Sequence, residues 1–204
     1  MITIIDYGLG NLASIKNMLI KVGANSQITS DPKLIIQAEK LILPGVGSFD
    51  RAINRLHEND MISSLNMAVL EKKIPVLGIC LGMQIMTSKS EEGSLPGLGW
   101  IDADTKRFFF EKDTGLKVPH MGWNIIKKAQ ENPIFRDFPD ESRFYFVHSY
   151  YVECKDSENV LMKTSYGIEF HSAFCKENIY GVQFHPEKSH RFGMQLMKNF
   201  VECI

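Results

Sequence analysis

Pro75-Val-Leu-Gly-Ile-Cys80-Leu-Gly-Met-Gln84 is the stretch on which the fold turns. Pro75 to Ile79 is apolar throughout, as expected of a strand buried on both faces, and a helix-compatible stretch follows from Leu81. The junction, Gly78-Ile-Cys80-Leu-Gly82, has the form G-x-C-x-G, a nucleophile elbow with cysteine in place of serine. Such a turn is sharp and strained, and side chains two residues to either side would collide, which accounts for both glycines. It lifts the sulfur out at the carboxyl edge of the sheet, where open α/β sheets bind ligands. The N-terminus of the following helix favours thiolate, the reactive form. A structural cysteine buried in a glycine-flanked turn fits the same five residues, so the reading depends on partners elsewhere in the chain.

Outward from this junction, the first half alternates strand and helix. Ile2 to Asp6 is a short apolar strand; Leu12, Ile15, Leu19 and Val22 recur at helical spacing, and Gly23 is a fitting stop. Leu41-Ile-Leu43 is a second apolar run, closed by Pro44-Gly-Val-Gly47. Ser48 is placed to N-cap a helix marked by Phe49, Ile53 and Leu56. This alternation predicts an α/β fold, a mostly parallel sheet with helices on both faces. Phe144 to Val152, Val160 to Tyr166, Phe170 to Cys175 and Ile179 to Phe184 are closely spaced and strand-like, and predict antiparallel strands added to the same sheet in the C-terminal half. A last helix is expected from about Arg191 to Val201, with Phe192, Leu196 and Phe200 on one face.

Bulk properties narrow the function. The 204 residues suit a single domain spanning 1–204, with no repeat, low-complexity tract or linker. The composition is 44% hydrophobic and 23% charged, and 23 basic residues stand against 24 acidic ones. That balance argues against a nucleic-acid binder. No apolar run approaches the roughly 18 residues of a membrane span. The start, Met1-Ile-Thr-Ile-Ile-Asp6, lacks a signal peptide's basic region, so a cytoplasmic protein is expected. Cys80, Cys154, Cys175 and Cys203 form no C-x-x-C pair, so neither a structural metal site nor a disulfide is expected, and no cofactor is called for.

A base for Cys80 is available in His185-Pro-Glu187, after the strand Ile179-Tyr-Gly-Val-Gln-Phe184. Pro186 disfavours helix at His185, so the segment is expected to be extended, with residues i and i+2 on one side. Glu187 then reaches back to the imidazole, fixes its tautomer and stabilises the imidazolium. His57, His120, His148, His171 and His190 lack a carboxylate at this spacing, and His57 is expected on an exposed helix face. Attack on an amide places negative charge on its oxygen, which backbone N–H groups must meet. Leu81, next after the nucleophile, offers one; Val46 in the glycine-flanked turn offers another, and glycine lets that peptide flip. A tight strand-to-helix loop without chemistry accounts equally for Pro44 to Gly47 taken alone.

Three rival readings stand beside this one. Gly8-Leu-Gly-Asn-Leu-Ala13 matches a dinucleotide-binding fingerprint, with Asp31 near the place of a ribose-binding acid, but leaves Cys80 and His-Pro-Glu unexplained. A stand-alone Cys-His hydrolase would use the same residues, and a non-catalytic subunit would not need them.

In this order, the elements resemble the class I glutamine amidotransferases, and more narrowly the glutaminase subunits of imidazole glycerol phosphate synthases. The resemblance covers essentially the whole chain. It rests on Asp6-Tyr-Gly-Leu-Gly-Asn11, Pro44-Gly-Val-Gly-Ser-Phe49, Gly78-Ile-Cys-Leu-Gly-Met-Gln84, Val118-Pro-His-Met-Gly-Trp-Asn124, Tyr145-Phe-Val-His-Ser-Tyr150 and His185-Pro-Glu-Lys-Ser189. It implies a flavodoxin-like domain with Cys80, His185 and Glu187 as triad. Gln84 and Glu92 would hold glutamine, with Gly47 and the backbone near Ser149 and Tyr150. Asn11, Trp123, Tyr145 and Lys188 would lie near the interface with a (β/α)8 barrel synthase, which receives the ammonia through its interior. The same chemistry also serves related synthases that amidate surface sugars, and the resemblance leaves both acceptors open.

Overall fold

The computed structural model describes residues 1–111 and 114–204. In chain order the elements are β1 (Ile2–Ile5), α1 (Leu12–Lys21), β2 (Ser26–Thr29), α2 (Pro32–Ile36), β3 (Lys40–Leu43), α3 (Phe49–Glu58), α4 (Met61–Asn66), β4 (Val76–Ile79), α5 (Leu81–Gln84), β5 (Lys89–Ser90) and β6 (Ala103–Arg107). They continue with β7 (His120–Ile125), β8 (Lys127–Lys128), β9 (Arg143–His148), β10 (Tyr150–Cys154), β11 (Val160–Tyr166), β12 (Ile168–Lys176), β13 (Ile179–Val182) and α6 (His190–Cys203).

Adjacent strands run in the order β2-β1-β3-β4-β13-β12-β10-β6-β5, with β11 on β12 and β8 on β11. The pairs from β2 to β13 are all parallel, whereas β12 joins β13 antiparallel. Helices cover both faces, as the alternating pattern predicts. Ile5, Leu41, Leu43 and Val76 pack against α3 and α4 on one side. Ile4, Ile42, Leu77 and Ile79 face α1 and α6 on the other. Neighbouring residues of a strand point to opposite faces, and both faces are dry, so these strands read as continuous apolar runs. Lys40 Nζ of β3 donates to the carbonyls of Phe200 (3.0 Å) and Val201 (2.6 Å), capping the last turn of α6.

Four expectations need correction. Phe144 to Val152 is not one strand but two, interrupted at Ser149: β9 pairs with β7 in a separate two-stranded sheet, and only β10 joins the main one. The helix after Cys80 is a single turn, so its dipole is small; the conformation of the turn itself matters more. Ser48 occupies the N-cap of α3 but its side chain makes no capping bond. The final helix is longer at both ends than expected. Edge strand β2, Ser-Gln-Ile-Thr, has too little apolar patterning to read as a strand. No helix is long and apolar enough to cross a membrane among the described residues.

Candidate active site

Three neighbouring strands, β3, β4 and β13, end at the same edge of the sheet and deliver Pro44–Gly47, Cys80 and His185 respectively. Register sets the match: Val182 pairs with Ile79, and Cys80 N–H donates to Val182 O at 2.8 Å. Cys80 has φ 53° and ψ −109°. That left-handed conformation costs a non-glycine residue on the order of 1–3 kcal/mol and persists only where its surroundings impose it. Here they do: a Cβ on Gly82 would lie 1.8 Å from Leu43 O, and one on Gly78 would meet Gly82 O and Met83 N at 2.8 Å. The glycines on either side of Cys80 thus permit the close approach that the sequence predicts.

His185 is buried, and its Nδ1 bonds Glu187 Oε1 at 2.8 Å. Because a carboxylate accepts, the proton sits on Nδ1, and Nε2 keeps its lone pair for chemistry in the neutral ring. Nε2 has no hydrogen-bond partner among the described residues. Burial acts to lower the imidazole pKa, but the Cys80 sulfur, and after it Glu187, outweigh this and hold it well above the ordinary histidine value. The reach of Glu187 differs from expectation. His185 is extended, yet Pro186–Lys188 forms a 3-10 turn, and the turn brings the carboxylate back. His185 N–H donates to Tyr145 O at 2.9 Å, and Ser189 Oγ, at 2.6 Å from His185 O, accepts from Tyr145 N–H at 3.0 Å.

A cavity of about 310 Å³ opens on these groups, lined by Val46, Gly47, Leu81, Gln84, Glu92, Ser149 and Tyr150 together with Cys80 and His185. The residues expected to bind substrate are therefore assembled, although they come from four separate segments. Leu81 N–H opens α5 and has no partner within the helix, as an oxyanion donor requires. Val46 is 44% exposed, and Gly47 has φ 116° with open space where a Cβ would be. Gln84 Nε2 bonds Tyr150 O and Gln183 Oε1, both at 3.0 Å. Glu92 Oε2 accepts from Phe49 N–H at 2.8 Å. Burial raises the Glu92 pKa, the Phe49 N–H opposes this, and Asp50 adds to it.

Three contributors were not singled out from the sequence. Buried Gln183 donates from Nε2 to Cys80 Sγ at 3.6 Å. Tyr7 O–H donates to Pro44 O at 2.5 Å, and burial, followed by the Cys80 charge, raises its pKa. Asp50 receives the N–H groups of Ser94 (3.1 and 2.9 Å) and Leu95 (3.1 Å), clasping the loop that carries Glu92. The Asp6-Tyr-Gly segment and the Gln two residues before His185 were signals in plain view; nothing local marks Asp50.

The residues expected at an interface gather beside the site. Lys188 Nζ lies 5.5 Å from the Tyr145 ring centroid, and Trp123 packs edge-on to Tyr145 at 6.1 Å and stacks on His190 at 5.3 Å. Trp123 is 48% exposed. Asn11 is exposed at the N-cap of α1, which packs against the turn carrying Lys188. In the rival dinucleotide motif, Asp31 caps α2 through Lys33 N–H at 2.8 Å. His57 is exposed on α3, as expected.

Comparison with known proteins places the chain in a family. The chain is 56% identical over 202 residues, 99% of both chains, to the imidazole glycerol phosphate synthase subunit HisH 2 of Methanococcus maripaludis. It is 51% identical over the full length of both chains to the subunit of the same name from Pseudomonas aeruginosa. Among solved structures, PurLQS from Thermotoga maritima superposes with a TM-score of 0.73 at 16% identity, covering 98% of this chain and 96% of that one. The glutaminase domain of Trypanosoma brucei CTPS gives 0.68 at 13% identity, covering 98% and 93%. These two likenesses concern the fold. The family model of the class I glutamine amidotransferases matches residues 3–203, and to that family the chain belongs.

Proposed function

We propose that this chain is the glutaminase subunit of an imidazole glycerol phosphate synthase, with Cys80, His185 and Glu187 as its triad. The observation that carries the reading is the convergence of Cys80 and the Glu187-bonded His185 on one cavity whose other walls can hold an α-amino acid. Glu92 supplies a carboxylate for the α-ammonium of glutamine, and backbone at Ser149 and Tyr150 completes the grip with Gly47 and Gln84. Cys80 gives its thiol proton to His185 Nε2, and the thiolate attacks the side-chain amide carbon. The amide oxygen takes up negative charge, met by Leu81 N–H and, once the loop turns, by Val46 N–H. His185 gives its Nε2 proton to the departing nitrogen, and ammonia leaves as the C–N bond breaks. His185 then takes a proton from water, whose oxygen attacks the thioester; the C–S bond breaks, glutamate is released and the thiolate is regenerated.

Free ammonia is protonated in bulk water and ceases to be a nucleophile. A sealed route into a (β/α)8 barrel synthase subunit, in a cytoplasmic heterodimer docked over Asn11, Trp123, Tyr145 and Lys188, answers that need. A second reading keeps the chemistry and changes the acceptor to a surface sugar.

The test uses the chain with its barrel partner and the partner's ligand. Glutamine should yield glutamate, Cys80→Ala should abolish this, and synthesis from ammonium salts should survive. Undiminished hydrolysis by Cys80→Ala would overturn the triad. Amidation of a sugar nucleotide in place of imidazole glycerol phosphate formation would select the second reading.

A further inference from the structure

The cavity has a wall that the reaction does not use. His148, at the end of β9, lies directly across from His120, at the start of β7, and both are buried. His148 Nδ1 is 2.7 Å from Tyr150 O, His148 Nε2 is 2.9 Å from His120 Nδ1, and His120 Nε2 is 3.2 Å from Asn124 Nδ2. The chain of bonds ends on backbone at both extremes, because Asn124 Nδ2 also donates to Ser165 O (3.0 Å) and Asn124 Oδ1 accepts from Ile125 N–H (2.8 Å).

These ends fix every proton between them. Tyr150 O can only accept, so His148 carries its proton on Nδ1 and its Nε2 accepts. His120 must then donate from Nδ1, and its own Nε2 accepts from Asn124. Starting from the other end gives the same answer: Ile125 N–H demands the amide oxygen and Ser165 O demands the amide nitrogen, so Asn124 presents N–H to His120. A chain that closes consistently from both ends has one direction only. Neither ring has a free nitrogen, so neither is a spare base. A proton added to either would set two N–H groups against each other. Aromatic rings exclude water around the pair: Tyr166 and Phe146 stack on His120, and Phe108 and Phe170 lie against His148. Burial accordingly pushes His120 down to about 4 and His148 to about 3, the latter opposed by its bond to Tyr150 O and assisted by the charges of His120 and His185.

We propose that His148, oriented by His120 and Asn124, is a positioning residue for glutamine: a one-way hydrogen-bond chain holds the Ser149–Tyr150 backbone in the shape that grips the substrate. The peptide it pins is also held by Gln84 Nε2 on Tyr150 O and by Phe108 N–H on Ser149 O at 3.1 Å, so the grip is a clamped segment rather than a free loop. This rests on the glutaminase reading and assigns a residue to it.

The test has a spectroscopic and a kinetic arm. In the ¹⁵N-labelled full chain at pH 7, the side-chain nitrogens of His120 and His148 should both report neutral rings protonated on Nδ1. An Nε2–H tautomer at either would overturn the proposal. In the complex, His148→Phe fits the aromatic cage without nitrogens. It should raise KM for glutamine at least tenfold with a smaller fall in kcat, while His148→Asn, which keeps a donor near the Nδ1 position, should recover part of the loss. A folded His148→Phe variant with KM within twofold of wild type would overturn the proposal even though the glutaminase reading stands. If the wild-type complex releases no glutamate, the glutaminase reading fails first and takes the substrate assignment with it, whatever the tautomers show.

Discussion

The turn after β4 and the turn after β3 lie side by side at the carboxyl edge of the sheet, yet their backbones are held differently. The Cys80 turn is walled in: backbone atoms of Leu43, Gly82 and Met83 occupy the space that any added methyl would need. The Pro44–Gly47 turn is held through Gly45, where Tyr7 bonds Pro44 O and an added Cβ would meet Gly82 N at 2.9 Å, but from Val46 it is exposed and by Gly47 it borders open space. On the proposed function, the contrast separates two catalytic tasks. A nucleophile must stay in a strained geometry through the whole cycle, which close packing secures. An oxyanion donor is needed only while charge is present on the amide oxygen, and an open turn lets its arrival be controlled from outside. A partner docking next to this edge therefore has one element it can adjust and one it cannot.

The largest effect should come from breaking the closed side. Gly82→Ala places a methyl 1.8 Å from Leu43 O, a backbone atom that cannot step aside. The cost should exceed about 3 kcal/mol, read as a drop in the urea midpoint at unchanged slope, with loss of glutamine hydrolysis. Stability near wild type would mean that the elbow is not walled in.

Acid should strain the opposite wall and spare the elbow. His120 and His148 have folded pKa values of about 4 and 3, below the unfolded value near 6.5. Their neutral forms contribute stability that is full above about pH 6.5 and is lost as pH falls toward the folded values. Between pH 7 and 5 wild type should lose on the order of 2 kcal/mol. The double variant His120→Phe/His148→Phe should lose clearly less over the same interval. Parallel curves would remove these rings from the acid response.

On the open side, Tyr7→Phe frees the start of the loop and strands Pro44 O. We expect a loss of about 1–2 kcal/mol in thermal or urea unfolding. The mildest change is Gly47→Ala, which has room for its methyl but pays for φ 116°, at a cost of roughly 1 kcal/mol. Its signature should be kinetic: altered dependence of glutaminase activity on the partner's ligand with a nearly unchanged melting temperature. A ligand response identical to wild type would show that this turn is not the adjustable element.

Much of this was legible because close packing leaves glycine signatures and buried strands leave apolar runs. Gly78, Cys80 and Gly82 declare the elbow, and His185-Pro-Glu187 declares the imidazole–carboxylate pair, although a 3-10 turn and not extended chain brings Glu187 back. What was hidden depends on tertiary placement. Asp50 acts on Ser94 and Leu95 far along the chain, and no local pattern announces that meeting. His120 and His148 read as isolated histidines until β7 and β9 set them opposite each other. The break at Ser149 was missed because both strands it separates are apolar and aromatic; only the change of sheet reveals it.

The position of β13 carries a consequence for how the chain is made. It is the last strand in sequence but sits at the centre of the sheet, between β4 and β12. As the polypeptide leaves the ribosome, β4 must wait with a bare edge until β13 has emerged, and Cys80 N–H finds Val182 O only then. The turn that carries Cys80, the proposed nucleophile, is thus completed by the same late event that closes the sheet. A chain interrupted before β13 carries the cysteine but not the strand that supports its turn.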